Sequence, residues 1–442
     1  MKSICNFLQN FLEFLLISYE KLARMNKDLI LVIFGRNVYF STRGRYTPEN
    51  LGGGDTVMGK RVLLINSVCG VGSTGRIAVG IAREYRAKGD TVRIAYGRGD
   101  VPDEYKKYAV RIGNDFDVRL HGVSTRILDN HGFGSRIATK RFLRWADSYN
   151  PDLLWLHNIH GYYIHIGELF TWIKSRPGME VRWTLHDCWA FTGHCAHFTT
   201  AGCEKWKTHC RNCRQKRKYP ASWLLDRSGE NYEQKKSLFC GIKDLTLITP
   251  SRWLEGLVQE SFLKKYPIRV VPNEIDRTVF KPTEGSFRKK YGLEGKTVIL
   301  GVASVWSRDK GLDDFIRLSR MLDDTCRVVL VGLTNEQIRT VPKCTLALPK
   351  TDSLKELAEI YTAADVFFNP SHEDTFSMVN LEAEACGTRV VTYDAGGCRE
   401  AVHRSDSRVV PIGDLDAILE DLNLGATEKN YFGARVQTGA GK

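Results

Sequence analysis

The stretch RVLLINSVCGVGSTGRIA, residues 61–78, decides the fold of the chain. An apolar run typical of a buried strand leads into a loop with the pattern G-x-G-x-x-G, and a helical pattern begins directly after it. Glycines in such a loop let backbone N–H groups approach a phosphate, and the helix N-terminus adds about half a positive charge. The stretch therefore predicts a Rossmann-like domain with an anion site. The predicted anion-site residues are Gly70, Gly72, Ser73, Thr74 and Gly75.

The same glycine pattern occurs in dinucleotide-binding domains, which also require an acidic residue after the second strand to hold a ribose. The sequence has Tyr96, Gly97 and Arg98 at that place. An NAD(P)-dependent oxidoreductase is therefore supported by the glycine loop alone. A tight turn without any ligand is a further alternative.

Strand-like and helical patterns alternate over the rest of the chain, in two series. TVRIAYG, DLLWLHN, VRWTLHD, LTLITPS and IRVVPN belong to the first, and TVILGVAS, RVVLVGL, CTLALP, DVFFNPS, TRVVTYD and RVVPIG to the second. Alternation of this kind predicts an α/β protein with parallel sheets, in two Rossmann-like domains that face each other across a central cleft. Ligands of such sheets bind at the carboxyl ends of the strands. The predicted segments are 58–272 for the first domain, 273–285 for the linker and 286–442 for the second domain.

Composition agrees with a globular protein of two domains and favours anionic partners. The chain has 442 residues, 43% hydrophobic and 26% charged, and a formal net charge of +13. An excess of cations favours phosphates, nucleic acid or an acidic membrane surface. Residues 1–57 carry an apolar pattern at helical spacing, and we predict either an added leader or a membrane-surface helix there. The longest unbroken apolar run in that segment, 29–34, is too short to span a bilayer.

Residues of the second domain suit a nucleoside diphosphate. Arg308 and Lys310 follow its first strand and supply two cations for a diphosphate. In HEDTFSMVNLEAEACG, residues 372–387, Asp374 and Glu382 are eight positions apart, so both carboxylates face one side near a helix start. A carboxylate accepts two hydrogen bonds, which matches the vicinal hydroxyls of a ribose.

Several separated motifs together resemble the retaining glycosyltransferases of family 4, which have the GT-B fold. They are INSVCGVGSTGRIA, TLHDCWAFTGHC, TPSRWL, VPNEIDRTVFKP, RDKGLDDF and EDTFSMVNLEAEACGT, followed by the glycine pair before Glu400. The resemblance covers about residues 58–420 and is to the bacterial branch for colanic-acid and other exopolysaccharide synthesis, which also serves lipopolysaccharide.

The resemblance implies transfer of a sugar from a UDP- or GDP-sugar to a lipid-linked oligosaccharide or polysaccharide acceptor in cell-surface polysaccharide biosynthesis. It implies that Glu382 holds the donor ribose, that the cations at 308 and 310 stabilise the diphosphate, and that His186 approaches the transferred sugar or the acceptor. It implies no catalytic metal. The predicted catalytic residues are His186, Arg308, Lys310, Glu373 and Asp374. The further predicted donor-binding residues are Thr375, Phe376, Ser377, Met378, Val379, Glu382, Gly396 and Gly397.

The chain departs from the family pattern in three places. The first acid of the usual Glu-x7-Glu pair is Asp374, preceded by Glu373, so either carboxylate is a candidate for the donor contact. Val305 stands where the family has an arginine, and Arg308 is the candidate substitute. The chain ends in GARVQTGAGK soon after a helical pattern, and the family's helices that return to the first domain are not recognisable there. A non-catalytic sugar-nucleotide-binding relative is therefore an alternative.

A cysteine-rich insert, residues 188–219, interrupts the first domain. Cys195, Cys203, Cys210 and Cys213 have the spacing C-x7-C-x6-C-x2-C and predict a structural zinc site, with reduced thiols and disulfides as alternatives. Seven Lys or Arg residues and one acid lie between positions 203 and 220. Because aromatic residues are few there and no recognition helix is evident, we predict contact with an anionic membrane or a lipid diphosphate rather than nucleic acid. The predicted location is the cytoplasm, at the inner face of the cytoplasmic membrane.

Overall fold

The computed structural model describes residues 32–34, 37–39 and 59–422 of the 442-residue chain. By its internal contacts the chain divides into two units, Met1–Val57 and Met58–Lys442. In the first unit, strands β1 (Val32–Phe34) and β2 (Asn37–Tyr39) pair antiparallel. Apart from these two strands, the segment 1–57, for which the sequence predicts a leader or a surface helix, lies outside the described residues. The tail that contains GARVQTGAGK also lies outside them.

The second unit holds two parallel sheets, which confirms the predicted α/β class. The N-terminal sheet has the order β5-β4-β3-β6-β7-β8-β9, and the C-terminal sheet has the order β12-β11-β10-β13-β14-β15. The N-terminal strands are β3 Arg61–Asn66, β4 Thr91–Tyr96, β5 Ala109–Arg111, β6 Leu153–Leu156, β7 Glu180–Thr184, β8 Leu245–Thr249 and β9 Ile268–Val270. The C-terminal strands are β10 Thr297–Val302, β11 Cys326–Val331, β12 Thr345–Leu348, β13 Val366–Asn369, β14 Arg389–Tyr393 and β15 Arg408–Val410.

Helices connect successive strands within each half. In the N-terminal half they are α1 Gly72–Ala87, α2 Asp103–Lys106, α3 Asp115–Leu128, α4 Arg136–Tyr149, α5 Ile166–Lys174, α6 Ser228–Phe239 and α7 Arg252–Glu260. In the C-terminal half they are α8 Phe287–Lys290, α9 Leu312–Met321, α10 Asn335–Thr340, α11 Leu354–Thr362, α12 Met378–Ala385 and α13 Asp416–Asp421. Among the described residues, no helix combines the length and the apolar character needed to cross a membrane.

The C-terminal sheet is buried on both faces, as expected for parallel strands joined by helices. Ile299 belongs to a core with Phe315 and Val391, whereas its neighbours Val298 and Leu300 belong to a second core with Tyr361. Successive residues of a strand point to opposite faces of the sheet, so one apolar run supplies both cores. This accounts for the continuous apolar strands in the sequence.

Loops at the carboxyl ends of the strands bring the two halves together. The Thr375 hydroxyl, after β13, donates to the His186 carbonyl, after β7, at 2.7 Å. The Ser251 hydroxyl, at the start of α7, donates to the Thr375 carbonyl at 2.7 Å. The carboxyl edges of the two sheets therefore face each other, and the predicted site residues lie at those edges.

Candidate active site

The glycine loop ends with an open helix N-terminus. Gly70 and Gly72 have φ angles of +73° and +64°, which only glycine adopts without strain. The N-cap residue of α1 is Val71, whose side chain has no polar atom, and a Cβ on Gly72 would meet nothing within 4 Å. The amides of the first turn, which include Ser73 and Thr74, therefore begin a 16-residue helix at a surface with room for an anion.

Lys310 and Arg308 take different positions, although the sequence predicts that both are donor cations. Both lie in a 3₁₀ turn, Arg308–Lys310, after β10. The Lys310 ammonium lies 2.8 Å from a carboxylate oxygen of Asp374. Burial lowers the pKa of Lys310, but the charge of Asp374, its hydrogen bond with the lysine and the nearby Cys398 and Asp309 together outweigh this effect, and the pKa is raised. Arg308 is directed outward, with a side chain 90% exposed and 3.5 Å from Asp313.

The two candidate first acids also differ in their partners. Asp374 faces Lys310, as described above. Glu373 is buried and accepts hydrogen bonds from the backbone and hydroxyl groups of Thr199 and Thr200 in the cysteine-rich insert, among them Thr200 Oγ1 at 3.1 Å. Both of its oxygens are thus engaged by the other half, which leaves Asp374 as the acid beside the cation.

Glu382 lies on α12 and is 2% exposed. Arg76 of α1 donates to its Oε1 at 2.8 Å, and the Tyr361 hydroxyl donates to its Oε2 at 3.1 Å. Burial raises the pKa of Glu382, against the opposing effects of Arg76 and Tyr361. Glu382, which is predicted to bind the ribose, is therefore paired with a cation of α1, the helix that begins at the glycine loop. The glycine loop and the acidic motif thus meet across the cleft.

The residues that precede and begin α12 are tied into the local structure. Ser377 Oγ accepts a hydrogen bond from Asn369 Nδ2 at 2.8 Å, and Phe376 is buried. Met378 and Val379, which are partly buried, form the first turn of α12. Segment 375–379, which is predicted to bind the donor, thus leads into α12 and is held in place by a hydrogen bond and by burial. It faces the other half.

The glycine pair at 396 and 397 has a packing role that the sequence analysis did not predict. The Gly397 N–H, proposed from sequence as a donor contact, donates to the Asp374 carbonyl at 3.0 Å. A Cβ on Gly396 would lie 2.1 Å from that same carbonyl oxygen, and a Cβ on Gly397 would lie 2.1 Å from the Thr375 carbonyl oxygen. Only glycines allow this loop to approach the acidic motif so closely.

Glu400 of the C-terminal half binds the N-terminus of α7 in the N-terminal half. Its two carboxylate oxygens accept the backbone N–H groups of Arg252 and Trp253 at 2.7 and 2.9 Å. These amides open α7, where a negative charge is favourable. Sequence reasoning identified Glu400 beside the glycine pair without this partner, because the partner is 147 residues away in the chain.

His186 lies in a cluster of aromatic and acidic side chains. Its Nε2 is 3.0 Å from Nδ1 of His157. Burial lowers the pKa of His186 to about 4, despite the opposing charge of Asp187. The ring is therefore neutral near pH 7 and able to hydrogen-bond without carrying a charge.

Three further residues of this cluster were missed by the sequence analysis. Asp187 Oδ2 lies 2.8 Å from Nε2 of His160, whose Nδ1 lies 3.0 Å from the Tyr219 hydroxyl. Burial raises the pKa of Asp187, but the charge of and hydrogen bond from His160 outweigh this effect, and the pKa falls to about 2. The only signal in the sequence was that Asp187 directly follows His186.

The cysteine-rich insert contains free thiols. Cys195 and Cys210 are buried, and Cys203 and Cys213 are partly buried. A hydrogen bond with the Cys195 thiol lowers the pKa of Cys213. Within residues 59–422 and the two short strands, no three His, Cys, Asp or Glu side chains are arranged to hold a metal ion. The zinc site, which rests on the spacing of the cysteines, therefore stays a prediction.

Comparison with known proteins finds a family match within the C-terminal half. Residues 296–424 match the family model described as Glycosyl transferases group 1. The putative colanic acid biosynthesis glycosyl transferase WcaC of Escherichia coli strain K12 is 26% identical over 270 residues, which are 59% of this chain and 64% of that protein.

Two further proteins are similar over different spans. The N,N'-diacetylbacillosaminyl-diphospho-undecaprenol alpha-1,3-N-acetylgalactosaminyltransferase of Campylobacter jejuni is 31% identical over 124 residues, which are 26% of this chain and 31% of that protein. The crystal structure of Anabaena HepE in complex with UDP-glucose aligns with a TM-score of 0.55 and 15% identity, over 83% of this chain and 92% of that chain. The matches span less than two thirds of both curated relatives. The structural alignment confirms the predicted GT-B fold of two facing Rossmann-like domains.

Proposed function

We propose that this chain, which carries a glycosyl transferases group 1 domain over residues 296–424, is a retaining glycosyltransferase of cell-surface polysaccharide biosynthesis. It would move a sugar from a UDP- or GDP-sugar to a lipid-linked oligosaccharide or a glycan. One observation carries the proposal: the Arg76–Glu382 contact at 2.8 Å brings the glycine-loop helix and the acidic motif to one site. The resemblance to HepE, which was solved with UDP-glucose, supports the choice of donor class.

This site suits a reaction in which a nucleoside diphosphate is the leaving group. As the sugar–phosphate bond breaks, negative charge accumulates on the diphosphate, and preorganised cations and N–H dipoles lower the barrier most effectively there. Lys310 supplies a fixed cation, and the amides at the start of α1 supply dipoles from the opposite side. Glu382 would accept the ribose hydroxyls, after Arg76 has moved from the carboxylate toward the incoming diphosphate.

The acceptor and the location belong to the same proposal. The name of the Campylobacter relative specifies a sugar linked through a diphosphate to undecaprenol, which supports an acceptor of that chemical class. The formal net charge of +13 supports contact with an anionic membrane, and we place the chain at the inner face of the cytoplasmic membrane.

A thermal-shift screen against UDP, GDP, ADP, their sugar conjugates and NADPH tests the function. We expect one nucleoside diphosphate to raise the melting temperature, because a ligand that binds only the native state stabilises it by about 2.7 kcal/mol at 100 times its Kd. Glu382→Gln keeps the shape of the side chain and is expected to lose most of this response. Asp352→Asn, at an exposed acid of the same half, is the matched control and is expected to keep it.

The alternatives give different results in the same screen. Stabilisation by NADPH and by no nucleoside diphosphate would support the oxidoreductase and contradict the transferase. A nucleoside diphosphate that binds without any turnover of its sugar conjugate would identify a non-catalytic sugar-nucleotide-binding relative.

We also keep the zinc ion of the insert as a proposal, which the spacing of Cys195, Cys203, Cys210 and Cys213 supports. The chain purified under reducing conditions is then expected to contain about one zinc ion, measured by elemental analysis. The Cys210→Ser/Cys213→Ser variant is expected to contain none. A wild-type chain without zinc, whose thiols all titrate with a thiol reagent, would rule out the site.

A further inference from the structure

Three consecutive apolar side chains lie at the surface next to the cysteine-rich insert. Trp223, Leu224 and Leu225 are 50%, 49% and 48% exposed, and Leu128 at the end of α3 is 42% exposed. We call the three consecutive side chains, Trp223, Leu224 and Leu225, the 223–225 surface. Isolated exposed apolar residues are normal on protein surfaces. Contiguous groups of them mark sites of interaction with proteins, membranes or ligands.

The backbone beneath this surface is held firmly. The N–H groups of Trp223 and Leu225 donate to the carbonyls of Arg126 and Ile127 at 2.7 and 3.2 Å. The buried Ser222 hydroxyl donates to the Leu225 carbonyl at 2.7 Å. The segment is thus anchored to α3, and the fold holds these side chains outward.

Cations border the 223–225 surface. The Lys216 ammonium donates to the Leu224 carbonyl at 3.2 Å, and the Arg126 guanidinium lies 5.8 Å from the centre of the Trp223 ring. Arg211, Arg214 and Arg217 are exposed on the adjoining loop. The nearest acid in the sequence, Asp226, is occupied by the backbone of Cys213 and by Ser228. Tryptophan and leucine beside several Lys and Arg residues is the composition that binds the interface of an anionic bilayer.

A line of polar and aromatic contacts leads from this surface into the cleft. The Arg126 guanidinium also lies 5.7 Å from the centre of the Tyr162 ring, and the centres of the Tyr162 and Tyr219 rings are 6.2 Å apart. The Tyr219 hydroxyl contacts His160, which pairs with Asp187 beside His186. These contacts connect the 223–225 surface with the side chains at the end of β7.

We propose that the 223–225 surface docks on an anionic lipid bilayer and thereby holds the His186 side of the cleft at the headgroups. Membrane contact and the link to a lipid-diphosphate acceptor both belong to the proposed function, on which this inference rests. The exposed side chains and their cationic border identify the surface that docks.

Vesicle co-sedimentation tests the docking. The full chain is mixed with vesicles of phosphatidylcholine alone and with vesicles containing about 30% phosphatidylglycerol, at low and at high salt. We expect binding to the anionic vesicles, weaker binding at high salt, and little binding to phosphatidylcholine. Leu224→Ser/Leu225→Ser is expected to lower the partition coefficient by about tenfold or more, because both leucines lose the apolar area that enters the interface.

The matched control replaces two apolar residues of similar exposure elsewhere, Val271→Ser/Ile412→Ser, at 51% and 48% exposed. It is expected to bind vesicles like the wild type. Lys216→Glu/Arg217→Glu tests the cationic border and is expected to remove the preference for anionic lipid. The replaced residues are exposed except for Lys216, which is partly buried, and the melting temperatures of all variants verify folding.

Three results would overturn the docking: equal binding to both vesicle types, equal losses in the 224/225 and 271/412 variants, or displacement from anionic vesicles by a short RNA at equal charge, which would assign the basic loop to nucleic acid. Nucleotide binding is measured in the same variants by thermal shift. A vesicle-binding chain that binds no nucleoside diphosphate would contradict the proposed function and leave the docking surface intact.

Discussion

Lowering the pH from 7 to 5 is expected to destabilise the chain strongly, because four buried histidines must take up protons on unfolding. Burial lowers the pKa of His121 to about 3 and that of His186 to about 4, and it lowers the pKa values of His131 and His157 well below 6.5. The unfolded chain binds protons at these sites below pH 6.5, while the folded chain does not. Stability is therefore lost as the pH falls through the unfolded value.

The expected size follows from the linkage between proton binding and folding. Each histidine lowers the free energy of unfolding by about 2 kcal/mol between pH 6.5 and pH 5. The four together lower it by about 8 kcal/mol as an upper limit. A typical domain has a free energy of unfolding of about 5–15 kcal/mol, so the loss is large. His131 Nδ1 and His157 Nε2 are buried without a hydrogen-bond partner in the described chain, so an added proton would find no acceptor there. Asp187, with a pKa of about 2, keeps its contribution throughout this range.

Urea unfolding followed by tryptophan fluorescence at pH 7, 6 and 5 measures this dependence. His157→Gln is expected to reduce the slope of the free energy of unfolding against pH by about 1.4 kcal/mol per pH unit. His403→Gln removes an exposed histidine and is expected to leave the slope unchanged. Equal stability at pH 7 and pH 5 would show that these rings take up protons in the folded chain over the same pH range as in the unfolded chain.

The strands of both sheets were predictable from local sequence, with one exception. Each quoted run, from RVLLINSV to RVVPIG, contains a strand, because strands buried on both faces are continuously apolar. The missed strand is β5, Ala109–Arg111, at the edge of the N-terminal sheet. Its sequence, Ala-Val-Arg, has one β-branched residue, whereas the equally short edge strands β9 and β15 have two each.

The positions of the site motifs were predictable, but the contacts between them were not. Spacing alone directed attention to Glu382, Lys310 and the glycine loop, because each motif follows a strand. The contacts of Arg76 with Glu382 and of Thr199 with Glu373 join residues 306 and 174 positions apart. No local pattern encodes such a pair, since it depends on how the two halves close.

Replacing Lys310 with glutamine is expected to lower kcat/KM for the proposed sugar transfer by about 100- to 1000-fold, the usual cost of removing one preorganised donor from developing negative charge. The Lys310 ammonium is fixed by Asp374 at 2.8 Å, and its raised pKa keeps it charged at neutral pH. It therefore needs no reorganisation when the diphosphate leaves. The rate is measured as release of the nucleoside diphosphate from the sugar nucleotide that the thermal-shift screen identifies.

Arg308→Gln is the matched control, since it removes a cation two residues away in the same turn. The Arg308 side chain is 90% exposed and paired only with Asp313 at 3.5 Å among the described ion pairs, and such exposed pairs contribute about 1 kcal/mol or less. We expect a loss of about fivefold or less. Equal losses in the two variants would mean that the donor draws Arg308 inward, as the sequence prediction of a two-cation site requires. A loss confined to Lys310 would mean that Lys310, held by Asp374, is the cation of this turn that stabilises the diphosphate. Arg308 would then not replace the arginine that the resemblance leads us to expect at position 305.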